Sequence, residues 1–273
     1  MILSKILSEG GDSMLMSSLM EEIEQLCPKS YAMNWDNVGL LAGRSDKEVR
    51  TVLLAVDATS AVVDEAIADK ADALITHHPL IFHGVNRASD EDYVGKRLVK
   101  LIQNDISYYA MHTNFDVMGM ADAAADELNL QNRDVLMVTY EDDISHEGLG
   151  RIGQLPEYMT LEELAELVRD TFKISHVRYY GDPEQPVVTA AVMPGSGGDQ
   201  IGLALKAEAD VMITGDISHH VGIDAVEKGI AVIDAGHFGI EKIFIPYMKQ
   251  FLNREAPDIK VIESVQGEPF REV

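Results

Sequence analysis

Short apolar runs alternate with amphipathic segments along most of the chain. In the first half, the apolar runs predict buried strands at 52–56, 73–76 and 106–111. The segments between them, 59–70 and 92–104, carry apolar residues at helical spacing and predict helices. Strands that alternate with helices are typical of an α/β unit with a mainly parallel sheet.

A further helix is predicted before the first of these strands. Its apolar positions, which recur at helical spacing, are Leu15, Leu19, Ile23 and Leu26. Ser13 is placed to cap the start of this helix and Pro28 to stop its end.

The second half repeats this order of elements. Apolar runs predict strands at 187–192, 211–214 and 230–234. Helices are predicted between them over 199–208 and 221–228. The chain therefore contains a second α/β unit that resembles the first.

Two stretches of the chain also match residue by residue. AIADKADALITHH at 66–78 matches ALKAEADVMITGD at 204–216, including the Ala-Asp before the strand and the Thr at its end. We therefore predict an α/β fold of two similar, duplicated domains with mainly parallel or mixed sheets. Residues 1–130 together with 230–273 are expected to form the first domain and residues 131–229 the second, with the functional site between them.

Composition narrows the class of protein. The chain has 273 residues, a hydrophobic fraction of 46% and a formal net charge of −24, from 22 basic and 46 acidic residues. Such a surface repels phosphate backbones and anionic membranes, so general nucleic-acid binding and membrane binding are not expected. Cys27 is the only cysteine, no run of 18 apolar residues occurs, and the first residues lack a signal-sequence pattern. We therefore expect a cytoplasmic protein.

Histidine and carboxylate side chains follow the predicted strands, where α/β folds place their chemistry. They are the adjacent His77 and His78, the pair His112 and Asp116, and the pair His237 and Glu241. The spacing within each of the two pairs lets both groups face one ion if the chain turns into a helix. Imidazole and carboxylate without thiolate suit Zn, Mn, Fe, Co or Ni. More than four candidate ligands favour a centre with two divalent metal ions.

Five motifs carry a family resemblance. In chain order they are NWDNVGL at 34–40, THHPLIF at 76–82, HTNFD at 112–116, TGDIS at 214–218 and GHFGIE at 236–241. Together they resemble the Nif-three-like family, whose members are also known as GTP cyclohydrolase 1 type 2 homologues. The resemblance covers about residues 14–268 and is to the short version of the family, which lacks the domain that longer members insert mid-chain.

The resemblance implies a dinuclear metal centre and a particular assembly. The ligands that it implies are His77, His78, Asp116, His237 and Glu241. Asp116 is the implied bridging ligand. The resemblance also implies a toroidal homohexamer whose sites face an internal cavity.

The roles of other residues near these motifs stay open. His112 is placed beside the ligands or as an occasional ligand, and the loop 35–37 is expected to be a structural turn near the site. The glycine loop 195–198 is either an anion-binding turn at a helix terminus or a tight structural turn. Candidates for the cavity wall and for substrate contact are Asp216, Ser218, His219 and His220.

Two functions from different classes fit this site. The leading hypothesis is a metal-dependent hydrolase of the GTP cyclohydrolase 1 type 2 homologue family, acting on a small-molecule substrate that the sequence does not specify. The alternative is a non-catalytic hexameric ring for metal storage, delivery, sensing or scaffolding. An open coordination position beside cavity groups favours the enzyme, whereas closed coordination favours the binding protein.

Overall fold

A computed structural model of the protein describes residues 13–271. These residues form two large sheets and one short strand pair, with helices on both faces of each large sheet. The strands are β1 (Met14–Leu15), β2 (Gly39–Ala42), β3 (Glu48–Val49), β4 (Thr51–Ala55), β5 (Ala73–Thr76), β6 (Ser107–Ala110), β7 (Gln131–Glu141), β8 (His146–Thr160), β9 (Arg178–Tyr180), β10 (Pro186–Ser196), β11 (Val211–Gly215), β12 (Ala231–Asp234) and β13 (Lys260–Glu263). The α-helices are α1 (Met16–Leu26), α2 (Ser60–Ala68), α3 (Tyr93–Gln103), α4 (Thr113–Phe115), α5 (Ala121–Glu127), α6 (Leu161–Thr171), α7 (Ile201–Lys206), α8 (His219–Glu227), α9 (His237–Glu241) and α10 (Phe244–Glu255).

The first large sheet has the order β13-β4-β5-β6-β2. Its neighbours from β13 to β6 run parallel, and β2 runs antiparallel to β6. The central strands are continuous apolar runs because helices cover both faces of the sheet. Along β4, Val52 packs with α1 and α10, whereas the next residue, Leu53, packs with α2 and α3.

The second large sheet has the order β7-β8-β10-β11-β12-β9. Strands β10, β11 and β12 run parallel to one another, and the remaining pairs are antiparallel. Helix α6 lies in the core on one face, and α7 and α8 lie in the core on the other. The α/β fold with parallel and mixed sheets, predicted from the sequence, is confirmed.

The internal repeat is visible in the backbone as well as in the sequence. The carboxylate of Asp72 accepts hydrogen bonds from two successive amides where β4 begins, at 2.8 and 3.0 Å. The carboxylate of Asp210 makes the same contact with two successive amides of β10, both at 2.9 Å. Lys70 and Glu208, two residues before these aspartates, both adopt a left-handed turn with φ of 54° and 60°. The same left-handed turn and aspartate contact therefore precede both β5 and β11.

Sheet membership differs from the predicted division of the chain at residue 230. Strand β12 pairs in parallel with β11 and antiparallel with β9, so it belongs to the second sheet. The chain returns to the first sheet later, where α10 packs into the first core and β13 pairs with β4. The apolar run at 230–234 identified a strand, but an apolar run carries no information about which strand will be its neighbour.

One local prediction was wrong. The first helix begins at Met16 rather than after Ser13, because Met14 and Leu15 form a strand that pairs with β3. Residues 142–145 form the turn of the long antiparallel hairpin β7–β8. β7 contains a short apolar run at 135–138, but only Leu136 of that run is buried, and most other residues of the strand are exposed or partly buried.

No helix within residues 13–271 combines the length and the apolar character needed to span a bilayer.

Candidate metal centre

The adjacent histidines lie in a tight turn at the carboxyl end of β5. Thr76 donates its hydroxyl to the carbonyl of His78 at 2.7 Å, and the buried Tyr108 hydroxyl donates to the same carbonyl at 2.9 Å. Tyr108 also accepts from the amide of Leu80 at 2.7 Å. These contacts fold the chain back directly after the strand, so His77 and His78 both point towards the second sheet's α9. His77 is fully buried.

His112 and Asp116 lie where β6 runs into a short helix. His112 is the residue before α4, and Asp116 begins a π-helical turn that extends to Met120. Asp36 fixes this junction, because its carboxylate accepts from the amide of Thr113 at 2.9 Å and from the hydroxyl of Thr113 at 2.5 Å. Single π-helical turns occur frequently at functional sites, where they redirect a side chain.

His237 and Glu241 are the first and last residues of α9. One helical turn separates them, so the His237 Nε2 atom lies 3.1 Å from Glu241 Oε2. Gly236 precedes the helix with φ of 72°, a left-handed conformation that favours glycine and that lets the chain leave β12 and enter α9 at once. Glu241 is 3% exposed.

These three segments bring their side chains together into one group, here named the histidine–carboxylate cluster. Its members are His77, His78, His112, Asp116, His237 and Glu241. Glu241 lies at the middle of the cluster, with Oε1 3.6 Å from His77 Nε2 and Oε2 3.1 Å from His78 Nε2. Asp116 Oδ1 lies 3.4 Å from His77 Nε2. The cluster therefore contains all five residues of the predicted ligand set and, in addition, His112.

Three overlapping groups within the cluster have ligand atoms within 4.8 Å of one another. They are His77 with Asp116 and Glu241, His78 with His237 and Glu241, and His77 with His78 and His112. Each group offers three protein ligands of the imidazole and carboxylate type that divalent transition metals accept. The separate groups leave room for more than one ion position.

Every imidazole of the cluster is oriented by a hydrogen bond to its outer nitrogen. The Nδ1 atom of His77 lies 2.9 Å from the carbonyl of Met111. The partners of the other three Nδ1 atoms, each at 2.8 Å, are Asp57 for His78, Asp36 for His112 and Asp216 for His237. Acceptors at Nδ1 leave each Nε2 free to bind, and this arrangement of outer acceptors is usual around metal-binding histidines.

Two of these imidazoles hold protons strongly in the metal-free protein. Burial alone would lower the pKa of His78, but the carboxylates of Asp57 and Glu241 raise it to about 10. The pKa of His237 is likewise raised to about 9, because Glu241 and Asp216 outweigh burial and the neighbouring His78. The cluster without metal therefore carries positive charge on the groups that must be neutral to bind an ion.

The pKa values of the two carboxyl groups in the cluster are shifted in opposite directions. Burial and the nearby Glu241 charge raise the pKa of Asp116 to about 7. Burial also acts to raise the pKa of Glu241, but the surrounding imidazoles hold it well below its ordinary value. Outside the cluster, the pKa of Asp36 falls to about 2 because hydrogen bonds from His112 and Thr113 overcome its partial burial.

Three buried atoms of the cluster fit a metal and lack any other partner. His77 Nε2, Asp116 Oδ1 and Glu241 Oε2 make no well-aligned hydrogen bond within residues 13–271, and the polar atoms nearest to them belong to other members of the cluster. Leaving buried polar atoms unpaired costs about 1–3 kcal/mol each, so such atoms are rare unless a ligand or water completes them. Because the three are metal-binding atoms and face one another, the residues present fit a metal centre.

Metal binding is expected to release protons at neutral pH. His78 and His237, with pKa values of about 10 and 9, are protonated at pH 7 and must lose those protons to bind. Asp116, with a pKa of about 7, is also half protonated at this pH and must ionise to bind. Loading at pH 7 should therefore release about two to three protons, and apparent affinity should rise by at least about a hundredfold between pH 7 and 8. Calorimetric titration with Zn²⁺ in two buffers of different protonation enthalpy measures the proton count. A heat of binding that does not depend on the buffer would contradict this charge state.

The glycine loop lies against the cluster and supports it. Gly195 has φ of 77°, and a Cβ atom there would come within 2.5 Å of Glu241 Oε1, so only glycine fits. The amide of Gly197 donates to the hydroxyl of Thr214 at 2.8 Å, and that hydroxyl lies 3.2 Å from the carbonyl of Gly195. Of the two roles predicted for this loop, the structure favours the tight turn, which presses the backbone against Glu241.

The other candidate residues occupy different positions around the cluster. Asp216 contacts His237 and lines a cavity beside it. His219 and His220 begin α8, with their rings 5.2 Å apart, and neither belongs to a metal-binding group within the described part of the chain. Ser218 precedes the same helix and makes no side-chain cap bond there.

Sequence reasoning missed the role of Asp57 and underrated that of Asp36. Asp57 comes two residues after the end of β4, as His78 does after the end of β5, so its position in the pattern was a usable signal. Asp36 lies in the loop expected to be only a structural turn, but it holds both His112 and Thr113.

A cavity of about 220 Å³ opens directly onto the cluster. Four cluster members line it, namely His112, Asp116, His237 and Glu241, together with Trp35 and the glycine loop. Trp35 is 56% exposed, and its ring lies 5.9 Å from His112 and 5.8 Å from Phe82. The metal-binding atoms are thus reached from a cavity with an aromatic wall.

The sequence and the fold have recognisable relatives. The sequence model of a family described as Duf34/NIF3 (NGG1p interacting factor 3) matches residues 14–269. The chain is 38% identical over 231 residues to the GTP cyclohydrolase 1 type 2 homolog of Clostridium acetobutylicum, covering 84% of this chain and 86% of the relative. It is 33% identical over 261 residues to the protein of that name from Clostridium perfringens, covering 94% and 99%.

Solved structures with the same fold include proteins from bacteria and archaea. A Bacillus cereus protein related to NIF3 superposes with a TM-score of 0.90 at 27% identity, covering 96% of this chain and all of that one. Reduced HcgD from Methanocaldococcus jannaschii superposes with a TM-score of 0.79 at 30% identity, covering 93% and 99%.

Proposed function

This chain belongs to the Duf34/NIF3 family, and we propose that it is a metal-dependent hydrolase with two divalent ions in the histidine–carboxylate cluster. The observation that carries the proposal is the cavity, because four cluster members line it and would present bound ions to a small molecule. A centre that only stored or sensed metal would have no need of an aromatic cavity at its ligands.

The cluster divides into ligands for two ions. His77 and Asp116 would hold one ion and His78 and His237 the other, with Glu241 between them because its two oxygens face different imidazoles. Asp116, which the family resemblance implies as the bridging ligand, and Glu241 would both supply carboxylate oxygens to the centre. Zn, Fe, Mn, Co and Ni all suit this ligand set.

Bound ions of this kind would lower the pKa of a water molecule and polarise the bond under attack. His112 is placed to take a proton from that water at Nε2, since its Nδ1 atom is 2.8 Å from Asp36. Asp36 has a pKa of about 2 and remains ionised at neutral pH, so it would stabilise the imidazolium that forms on His112. Trp35 offers a flat ring against which a planar substrate would stack.

The names of the sequence relatives supply the first substrate to test. Those relatives are called GTP cyclohydrolase 1 type 2 homologs, and hydrolytic opening of the purine ring adds water to a ring carbon and breaks a carbon–nitrogen bond. A planar heterocycle fits the aromatic wall of the cavity. The net charge of −24 opposes the approach of a triphosphate, so neutral cyclic amides belong in the same panel.

The protein is loaded with each of the five metals in turn, and we expect at least one metal-loaded form to hydrolyse at least one substrate of the panel. The panel is GTP, cyclic amides and phosphoesters, with ring opening followed by loss of ring absorbance. Asp116→Ala and His237→Ala should lose metal and turnover together, whereas the exposed, remote His146→Ala should keep both. Metal-loaded protein that leaves the whole panel unchanged would overturn the hydrolase and leave metal storage, delivery, sensing or scaffolding as its function.

Self-association into a homohexamer is also proposed. Support comes from the hairpin β7–β8, which lies at the edge of its sheet and exposes large apolar side chains. They are Val138, Tyr140 and Ile144, which lie at or near the hairpin turn. Exposed apolar groups clustered on one hairpin are typical of an interface, and light scattering of the purified chain would measure the mass of the assembly.

A further inference from the structure

The segment after β13 returns across the first sheet towards the metal centre. We name residues 264–271 the C-terminal tail. The amide of Ser264 donates to the carbonyl of Leu54 at 2.8 Å, which continues the pairing of β13 with β4. Glu65 of α2 then holds the tail, accepting from the Ser264 hydroxyl at 2.5 Å and from the Val265 amide at 2.9 Å.

The next residue of the tail contacts Asp57 at two points. Gln266 Nε2 donates to Asp57 Oδ2 at 2.8 Å, and the Asp57 amide donates to Gln266 Oε1 at 3.1 Å. The other oxygen of the same carboxylate, Oδ1, lies 2.8 Å from His78 Nδ1. Each Asp57 oxygen therefore contacts a different group, one in the tail and the other in the proposed ligand His78.

Beyond Gln266 the tail forms a wall beside a second metal ligand. Glu268 and Phe270 line a cavity of about 400 Å³ together with His237 and Asp216. The tail thus reaches the surroundings of His78 through Asp57 and the surroundings of His237 through this cavity.

We propose that Gln266 is a positioning residue for the metal centre, acting through Asp57 on His78. With the tail docked, Asp57 is held from both sides and its Oδ1 atom keeps the His78 ring turned so that Nε2 faces Glu241. Without Gln266 the carboxylate can rotate, and the His78 ring loses the support that outer acceptors give to metal-binding histidines. The inference rests on the metal centre of the proposed function but requires no turnover.

Coupling between two sites acts equally in both directions. If tail docking strengthens binding of the ion held by His78, then that ion must strengthen docking of the tail by the same factor. The tail would then respond to metal loading, and the cavity that it walls beside His237 would be most closed when the centre is full.

The test compares Gln266→Met, which keeps the side-chain length but lacks the amide, with Val265→Ala, whose side chain is 89% exposed. Stepwise Zn²⁺ affinities are measured by competition with a chelator. Gln266→Met should weaken one of the two ions by about tenfold, as loss of outer partners typically does, and leave the other unchanged. Val265→Ala should bind both ions as the wild type does. Asp57→Asn should weaken the same ion as Gln266→Met.

The reverse effect is measured by hydrogen exchange of the tail amides with and without Zn²⁺. Zn²⁺ should slow exchange at residues 264–268 in the wild type and in Val265→Ala, and this protection should be lost in Gln266→Met. Equal Zn²⁺ affinities for Gln266→Met and the wild type, or tail exchange that ignores Zn²⁺, would overturn the positioning role. A wild type that binds no Zn²⁺ would overturn the metal centre itself, whereas binding without turnover would overturn only the hydrolase.

Discussion

Glu241→Gln is expected to abolish tight binding of both metal ions. The carboxylate is 3% exposed and has one oxygen 3.6 Å from His77 Nε2 and the other 3.1 Å from the Nε2 atoms of His78 and His237. Glutamine keeps the shape but removes the negative charge from the middle of the centre, and its amide group presents donors to the ion positions. The loss in affinity should exceed the roughly 10- to 100-fold that outer partners contribute.

Elemental analysis of the purified variant measures this loss directly. The matched control is Glu227→Gln, the same change on an exposed residue of α8, which should retain the wild-type metal content. A Glu241→Gln protein that still carries the wild-type number of ions would contradict the central position assigned to this carboxylate. Retention of one ion would show that Glu241 serves a single ion and that Asp116 bridges.

The largest effect on stability is expected from Phe244→Ala. Phe244 is fully buried at the start of α10, with its ring 5.2 Å from Phe115 and 5.7 Å from His77. Truncation leaves a cavity beneath the metal centre, which typically costs about 3–5 kcal/mol. For a chain of this size, that loss corresponds to a melting temperature lower by roughly 10 °C.

Thermal and denaturant unfolding of the metal-free proteins provide the measurement. Phe270→Ala is the control, because the same truncation at a half-exposed ring should change stability little. A loss of less than about 1 kcal/mol for Phe244→Ala would mean that the surrounding core closes over the cavity. In that case, the packing of Phe244 against His77 would not act as a rigid support for the cluster.

The repeated α/β units were predictable because their strands are short apolar runs buried on both faces. The sequence also predicted that the candidate ligands would lie close together, because the carboxyl ends of parallel strands meet at one edge of a sheet. The hairpin β7–β8 was not predictable by the same rule. Its first strand has a short apolar run at 135–138 of which only Leu136 is buried, and polar residues extend the strand on both sides, so its full length is set by backbone pairing with β8.

The sequence also could not predict contacts between residues that are far apart along the chain. The sequence indicated a strand at 230–234 but could not assign it to the second sheet, because partner choice depends on the whole fold. The link between Gln266 and Asp57 spans 209 residues and leaves no local pattern. His112 could be placed near the centre but not within it, since its approach to His77 and His78 depends on the turn that Asp36 fixes.

In the metal centre that we propose, the spacing of the ligands along the chain would set the time at which the protein can acquire metal during its synthesis. His237 follows His78 by 159 residues, so a growing chain displays the first half of the cluster long before the second half exists. At about 5–20 residues per second, this interval is roughly 8–30 s. Until His237 and Glu241 have been made, a nascent chain would offer only part of the ligand set, and selection among competing metals would wait for the second half of the cluster.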